Sequence, residues 1–243
     1  LKKGDFVFTF DLKSAYHHIM IFEEHRQYLG FSWQNNSKIH YYVSNMLPIG
    51  LSTAGYIFSK ELRKPVKISK INRSKVAYYL DDGIGVGASF QEAYDISILI
   101  KNQFQDLGFL FANEKCEWSP SQERTWLGLY WNTKEGKISV SEDRIKRFKN
   151  HLDVIQHDVM KGKVYFYAKT LAKIAGHIIS MKAVFGDTVR FKSRGLYECI
   201  SQKASWYSVV KISALAMKEL EFWRENVCAV SKQGCEFESL DAS

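Results

Sequence analysis

The chain has little of what marks linker-rich, secreted or membrane-spanning proteins. Three prolines in 243 residues and the lack of a low-complexity tract exclude a disordered chain. No apolar run approaches the roughly 18 residues that a transmembrane helix needs. No signal-peptide pattern opens the sequence, and a start on Leu1 rather than Met is expected of a fragment whose N-terminus lies elsewhere. Four cysteines, Cys116, Cys199, Cys228 and Cys235, are scattered without C-x-x-C spacing or paired histidines, which argues against a zinc site and suits a reducing, intracellular compartment. Acidic residues are outnumbered, 26 against 34 basic ones, and the net charge of +8 favours a polyanionic partner. What is present is core-forming material: 46% hydrophobic and 14% aromatic residues, enough for one large domain or two modest ones.

The chain is organised around Val76-Ala77-Tyr78-Tyr79-Leu80-Asp81-Asp82-Gly83-Ile84-Gly85-Val86-Gly87, where two adjacent carboxylates interrupt an apolar run. Strand-forming and turn-forming residues around them predict a tight β-hairpin with acid at its tip. Side chains alternate across a strand, so one or both of Asp81 and Asp82 look toward whatever the hairpin packs against. Two carboxylates about 4 Å apart repel by roughly 4 kcal/mol at an effective dielectric near 20, so both stay ionised only beside a cation or ample water. Two readings stay open at this point: a solvated acidic turn, since Asp-Gly is a common hairpin signal, and a site for a hard divalent metal. Gly83 to Ala88 also fits a dinucleotide-type G-x-G-x-x-A pattern with Asp106 downstream. Against it, the acids would repel a pyrophosphate, Ser89 and Glu92 make a capping box that starts a helix, and no βαβ repeat follows.

Asp5 to Phe10 is apolar on both faces, which predicts a strand buried in mid-sheet running into Asp11. A carboxylate there requires a basic partner, a metal, or an Asx turn capping the Leu12 to His18 segment. His17 and His18 lack a spaced partner and read as packing or surface residues. Glu23 to Val43 predicts two strands joined by a polar turn near Asn35 to Lys38. Leu47-Pro48-Ile49-Gly50-Leu51 is a loop, Ser52 or Thr53 an N-cap, and a helix is predicted from about Ala54 to Leu62, stopping before Pro65. After the polar stretch Lys67 to Lys75 and the hairpin, Gln91 to Leu107 carries a helical apolar face ended by Gly108. Trp126 to Trp131 is expected to pair with Lys137 to Val140 around a turn. Strands and helices thus mix in an α+β pattern without crossover repeats.

Beyond Ser141 the character changes. Ser141, Glu142 and Asp143 open a helix with the core stripe Ile145, Phe148, Leu152 and Ile155. Leu171, Ile174, Ile178 and Met181 mark another helix, and Ile212, Leu215, Ala216 and Leu220 a third; the whole region reads as helical, with a boundary near residue 140. Lys146, Arg147, Lys149, Arg190, Lys192, Arg194, Lys203 and Lys211 are either a solvated helix face or a phosphate-tracking surface. Trp206, Tyr207 and Trp223 are either core residues or stacking platforms for bases.

Taken in order, these blocks resemble the reverse transcriptase domain of retroelements over nearly the whole sequence. Phe10-Asp11-Leu12-Lys13-Ser14-Ala15-Tyr16-His17-His18-Ile19 resembles the first catalytic block of retrotransposon polymerases. Leu47 to Ala54 is similar to the LPxGLxxA block, Tyr79-Leu80-Asp81-Asp82 to the YxDD box, Gly108-Phe109 through Lys115-Cys116 to the following block with its lysine, and Trp126-Leu127-Gly128-Leu129 to the primer-grip hairpin. The helical remainder, with Leu171 to Ile178 and Glu219 to Trp223, resembles the thumb and connecting region of DIRS-type or related LTR-type retrotransposons.

The resemblance implies a right-hand polymerase. Residues 1–140 would form a palm of antiparallel sheet and packed helices with truncated fingers, including a fingers-like insertion at about 20–46; residues 141–243 would form a helical thumb and connection. It implies template-directed DNA synthesis from an RNA or DNA template, with two magnesium ions, or manganese in their place, held by Asp11, Asp81 and Asp82 and by the Leu12 carbonyl. Amides from Lys13, Ser14, Ala15 and Tyr16 would cradle the triphosphate, and the Tyr16 ring would exclude a 2′-hydroxyl. Pro48, Ile49 and Gly50 would lie under the template and incoming nucleotide, although Ile49 stands where retroviral enzymes carry glutamine. Tyr79, Leu127, Gly128 and Leu129 would meet primer and template, and Lys115 would donate a proton to pyrophosphate unless it is a surface loop lysine. The glycines after Asp82 would leave room for a primer terminus. Implied partners are an RNA template, a DNA primer, their RNA-DNA hybrid and dNTPs, with no membrane and with a ribonuclease H domain downstream. The family carries a long fingers region before the first block, where only Lys2 and Lys3 supply basic side chains here, so the fragment is expected to be poorly active or inactive alone. The alternative is a degenerate or co-opted polymerase fold that binds nucleic acid or protein without catalysis. Oligomeric state is not legible in the sequence.

Overall fold

The computed structural model describes residues 1–71 and 75–237, without the side chains of residues 68–71, so much of the polar stretch expected at Lys67 to Lys75 lies outside the described residues. Contacts divide the chain into two compact units, one spanning Lys3–Trp126 and the other Leu127–Ser243. That division precedes the change in sequence character near residue 140, because Ile138 and Val140 are buried in the same core as the helices that follow.

The first unit contains β1 (Phe6–Asp11), a 3-10 turn (Ala15–His18), α1 (Glu23–Arg26), β2 (Gly30–Asn35), β3 (Lys38–Val43), α2 (Ala54–Ile71), β4 (Lys75–Tyr79), β5 (Asp82–Gly87), α3 (Phe90–Asp106), β6 (Glu117–Ser121) and β7 (Glu123–Trp126). Its main sheet has the order β4-β5-β1-β6, and every pairing in it is antiparallel. β1 lies inside that sheet and is buried, as an apolar run without alternation predicts. β2 and β3 pair as a separate exposed ribbon, with Asn36 and Ser37 at positive φ in its turn.

The sheet's core is aromatic. Phe10 stacks on Trp118 with centroids 5.3 Å apart and meets Phe104 and Phe111 at 6.0 and 5.8 Å. The register sets Phe10 opposite Gly83 and Phe8 opposite Gly85, and a Cβ at either glycine would fall inside the facing ring. The expected room for a primer terminus at these two glycines is therefore filled by phenyl rings, which makes them a packing requirement of β1. Downstream, the first half of the expected capping box forms, with Glu92 N–H donating to Ser89 Oγ at 3.1 Å, while the Glu92 carboxylate accepts from the Ala88 amide at 2.6 Å, one residue before the N-cap.

One boundary differs from expectation. α2 does not stop before Pro65 but runs on to Ile71. Ala54, Phe58, Leu62 and Pro65 fall on one buried stripe, so packing of the ring offsets a helix-interior proline cost of about 3 kcal/mol. The Pro65 carbonyl also accepts a hydrogen bond from Gln103 Nε2 at 2.7 Å, tying the helix to α3.

The second unit contains β8 (Leu129–Asn132), β9 (Lys137–Val140), α4 (Glu142–Met160), β10 (Tyr165–Tyr167), α5 (Ala168–Ile179), α6 (Lys182–Phe185), α7 (Thr188–Phe191), α8 (Arg194–Ser201), β11 (Val209–Lys211), α9 (Ala214–Gln233) and β12 (Cys235–Glu236). The region expected to be wholly helical thus also holds β10 paired with β11, and β12 paired with β9. Strands of two or three residues are too short to display a period of two. The predicted stripes of α4 and α5 converge on a core that includes Phe148, Leu152, Ile174, Ile178 and Trp223. Trp223 is fully buried and donates to the Lys192 carbonyl at 2.6 Å, which makes it a core residue rather than a stacking platform. Glu219 is buried too, and its carboxylate accepts from the Gly195 and Leu196 amides at 3.0 and 3.1 Å, closing the N-terminus of α8.

Candidate active site

Asp11 ends β1 directly opposite Asp82 in the strand register. Leu80 and Asp81 form the turn between β4 and β5, with Leu80 at φ 54, a left-handed conformation that costs a leucine on the order of 1 kcal/mol. The backbone after β1 is clamped from two sides. Leu12 N–H donates to the Asp81 carbonyl at 2.9 Å, Lys13 N–H to Leu110 at 2.8 Å, and Ala112 N–H to Asp11 at 2.9 Å. Asp11 N–H also meets Cys116 Sγ at 3.4 Å. Ser14, at φ 50, then turns the chain into the 3-10 turn carrying Ala15 and Tyr16.

These segments enclose a pocket of about 290 Å³ lined by Asp11, Leu12, Lys13, Ser14, Ala15, Tyr16, Ile49, Asp81, Ala112, Glu114 and Lys115. The pocket gathers most of the residues singled out in the sequence for metal and nucleotide contacts. Pro48 and Gly50 flank Ile49 without lining it. The Tyr16 ring stands edge-on to Phe58 at 5.3 Å, which fixes its orientation against α2. Tyr79 pairs with Asp82 across the hairpin and is exposed. Leu127, Gly128 and Leu129 belong to the second unit. There the Leu127 carbonyl accepts from Arg144 Nη1 at 3.0 Å and the Gly128 carbonyl from Ser141 N–H at 3.1 Å.

Negative charge is concentrated here. The Asp82 carboxyl is pushed up to about 6, first by burial, then by the charges of Asp81 and Asp11 and by a hydrogen bond with Asp11; Lys115 opposes the shift. Lys115 Nζ lies 3.4 and 3.5 Å from the two Asp11 carboxylate oxygens, and the Asp11 charge raises its pKa. The lysine is thus an exposed side chain with a specific partner. A carboxyl raised by two neighbouring carboxylates, one of which has recruited a lysine, belongs to a donor set suited to a hard cation. Among the described residues no three such donors form a group that could hold a metal ion by themselves. Magnesium generally takes one or two carboxylates and completes its shell with water and substrate phosphates, which is compatible with these residues.

Sequence reasoning assigned no role to Cys116, whose thiol lies against the Asp11 backbone, or to Glu114 in the pocket wall. Burial is the main cause that raises the Cys116 thiol's pKa, which suits a packing role. The adjoining Lys115 was the available signal, but nothing in a lone cysteine reports what lies 105 residues earlier. Among the described residues no helix is long and apolar enough to cross a membrane.

Comparison with known proteins agrees on the family and the fold. A family model described as reverse transcriptase (RNA-dependent DNA polymerase) matches residues 1–131. Among solved structures, the chain is similar to the foamy viral protease-reverse transcriptase in complex with double-stranded DNA, at 19% identity and a TM-score of 0.65, covering 96% of this chain and 36% of that one. It is also similar to the foamy viral protease-reverse transcriptase in complex with an RNA/DNA hybrid, at 18% identity and a TM-score of 0.66, covering 93% of this chain and 27% of that one. No curated protein matches the chain.

Proposed function

The chain belongs to the reverse transcriptase (RNA-dependent DNA polymerase) family, and on that premise we propose that it performs template-directed DNA synthesis on an RNA or DNA template. The observation that carries this reading is the single pocket shared by Asp11, Asp81, Lys115 and the Lys13 to Tyr16 turn, with Asp82 opposite Asp11. Magnesium, or manganese in its place, held by Asp11, Asp81 and Asp82, would supply neutralisation of triphosphate charge and acidification of the primer 3′-hydroxyl. The Lys13 amide is engaged by the Leu110 carbonyl, so the amides of Ser14 to Tyr16 bind the triphosphate, and Tyr16, braced by Phe58, lies beneath the sugar and disfavours a 2′-hydroxyl. Lys115, kept protonated by Asp11, gives its proton to the leaving pyrophosphate. Tyr79 and the Leu127 to Leu129 segment contact primer and template.

The finer context belongs to the same proposal. Residues 1–140 serve as palm with partial fingers and residues 141–243 as thumb and connection, within an intracellular retroelement polyprotein of DIRS-like or related LTR type that carries a ribonuclease H domain. The partners are an RNA template, a DNA primer, their hybrid and dNTPs. The chain spans about a third or less of the foamy viral chains it matches, so the test uses the longer protein that carries it. Magnesium-dependent primer extension on an RNA template is expected, and the double variant Asp81→Asn, Asp82→Asn is expected to lower it by about a thousandfold or more. Extension unchanged by that variant would overturn the assignment of these acids.

A second reading is a polymerase fold that binds nucleic acid or protein without catalysis. It predicts salt-sensitive binding of template-primer with no incorporation.

A further inference from the structure

The second unit carries a pocket of about 380 Å³ whose walls include His151, Tyr167, Lys169, Lys173, Trp206 and Tyr207. None of these residues lines the pocket around Asp11. The loop bearing the two rings is held in place. Lys169 N–H donates to the Trp206 carbonyl at 3.2 Å and Ala168 N–H to Ser208 at 2.9 Å, tying the start of α5 to the loop. Ser208 Oγ donates to the Ser205 carbonyl at 2.7 Å and accepts from the Ser205 amide at 3.2 Å, closing the loop on itself.

The chemistry of the walls is specific. Trp206 and Tyr207 leave 51% and 76% of their surface in water, unlike the core residue Trp223. Each ring carries a cation: Lys203 Nζ lies 4.4 Å from the Trp206 centroid and Lys169 Nζ 5.4 Å from that of Tyr207. No acidic side chain is among the described lining residues. His151 stacks on His177 at 5.1 Å, and its Nδ1 is a buried polar atom with no hydrogen-bond partner. His177 is held below its usual pKa by burial, and then by the positive charges of His151, Lys173, Arg144 and Arg147, which reports the local field. An apolar ligand would leave the lysines unused, and an inorganic anion would leave the rings unused. A planar base joined to a phosphate uses both.

We propose that this pocket binds an unpaired nucleobase of single-stranded nucleic acid, the base stacking on Trp206 or Tyr207 while Lys169 and Lys173 meet the adjoining phosphates. The proposal rests on the function above only in taking nucleic acid as the partner, and it requires no catalysis. A single strand is the natural occupant, because its unpaired bases are free to stack on exposed rings.

The test uses the whole chain and an oligothymidylate of about 15 nucleotides, followed by fluorescence anisotropy. At least one of Trp206→Ala and Tyr207→Ala is expected to weaken binding roughly tenfold, since the stacked base loses its ring. Trp206→Phe should restore most of it. Lys169→Ala and Lys173→Ala should each reduce the salt dependence by about one unit of slope. An abasic oligonucleotide of the same length should bind the wild type no better than oligothymidylate binds the Trp206→Ala variant. Wild-type affinity in both ring variants overturns the proposal. So does an equal loss for the normal and abasic probes, which would mark a phosphate-only surface, and so does a 4-thiothymidine crosslink that maps away from Trp206 and Tyr207. Primer extension by the longer protein reads the catalytic proposal and oligothymidylate binding in the ring variants reads this one, so failure of the catalytic reading and failure of this one give different results.

Discussion

The two units put charge to opposite uses. In the first, Asp11 and Asp82 face each other across paired strands, Asp81 shares the pocket with Asp11, and one exposed lysine answers them. In the second, lysine and histidine surround exposed rings, and the buried carboxylate of Glu219 is fully engaged by two backbone amides. A carboxylate that closes a helix N-terminus has its hydrogen bonds satisfied within the fold and is structural. One held among like charges, with its pKa raised, keeps a demand that only a partner can meet. The cores differ in the same sense. The first is a stack of aromatic rings against a glycine-containing strand, and the second is a largely aliphatic set of helical stripes around Trp223.

This contrast can be broken most directly at Glu219. Glu219→Ala leaves the Gly195 and Leu196 amides buried without their acceptor and should cost about 3 kcal/mol in urea unfolding of the second unit. Primer extension per folded molecule should be unchanged; a stability change below about 0.5 kcal/mol would show that the carboxylate is not a cap. The converse holds for Lys115. Lys115→Ala should slow single-turnover extension about a hundredfold, while the unfolding midpoint shifts less than in Glu219→Ala, because the lysine itself is exposed although its partner Asp11 is largely buried.

A third expectation concerns the first core. Gly83→Ala drives a methyl group into the Phe10 ring and should destabilise the first unit by about 2 kcal/mol, lowering its Tm by roughly 4–8 °C. Adding Phe10→Leu should recover part of that loss, and no recovery would mean the clash lies elsewhere.

The smallest effect is in pH, and the two units should respond with opposite sign. The Asp82 carboxyl, pushed up to about 6, stays protonated in the folded state while the unfolded chain ionises near 3.8, so its contribution is complete below pH 4 and is lost as pH rises to about 6. His177 is depressed below 6.5, so the unfolded chain takes up a proton first and stability is lost as pH falls below about 6.5. Calorimetric Tm series for Asp82→Asn and His177→Gln should each flatten one of these trends and leave the other. A shared trend in both variants would show that the shifts do not belong to these groups.

Much of the fold was legible because its signals are local. The unalternating run of β1, the acidic hairpin, the Ser89-Glu92 box, the α3 face closed by Gly108 and the stripes of α4 and α5 each lie within one element, where period and capping chemistry act. Pro65 was misread because its local effect favours a helix stop, and only the buried stripe it shares with Phe58 and Leu62 reverses the balance. The three shortest strands lack a period to read. The glycines of β5 carried an ambiguous signal, since small residues serve close approach of any kind, and the register with Phe8 and Phe10 decides which kind it is.

By itself, the sequence determined the order of the chemical blocks, the residue types that hold charge, and the local elements on which they ride. Tertiary structure alone decided that Lys115 reaches Asp11 across 104 positions, that Cys116 lies against the same backbone, and that Asp82 is burdened by its neighbours. It also decided that Trp206 stands exposed beside lysines while Trp223 is sealed in a core. The reason is physical. Propensity and periodicity act over a few residues, whereas Coulomb interaction, desolvation and steric fit depend on distances that only the folded chain sets.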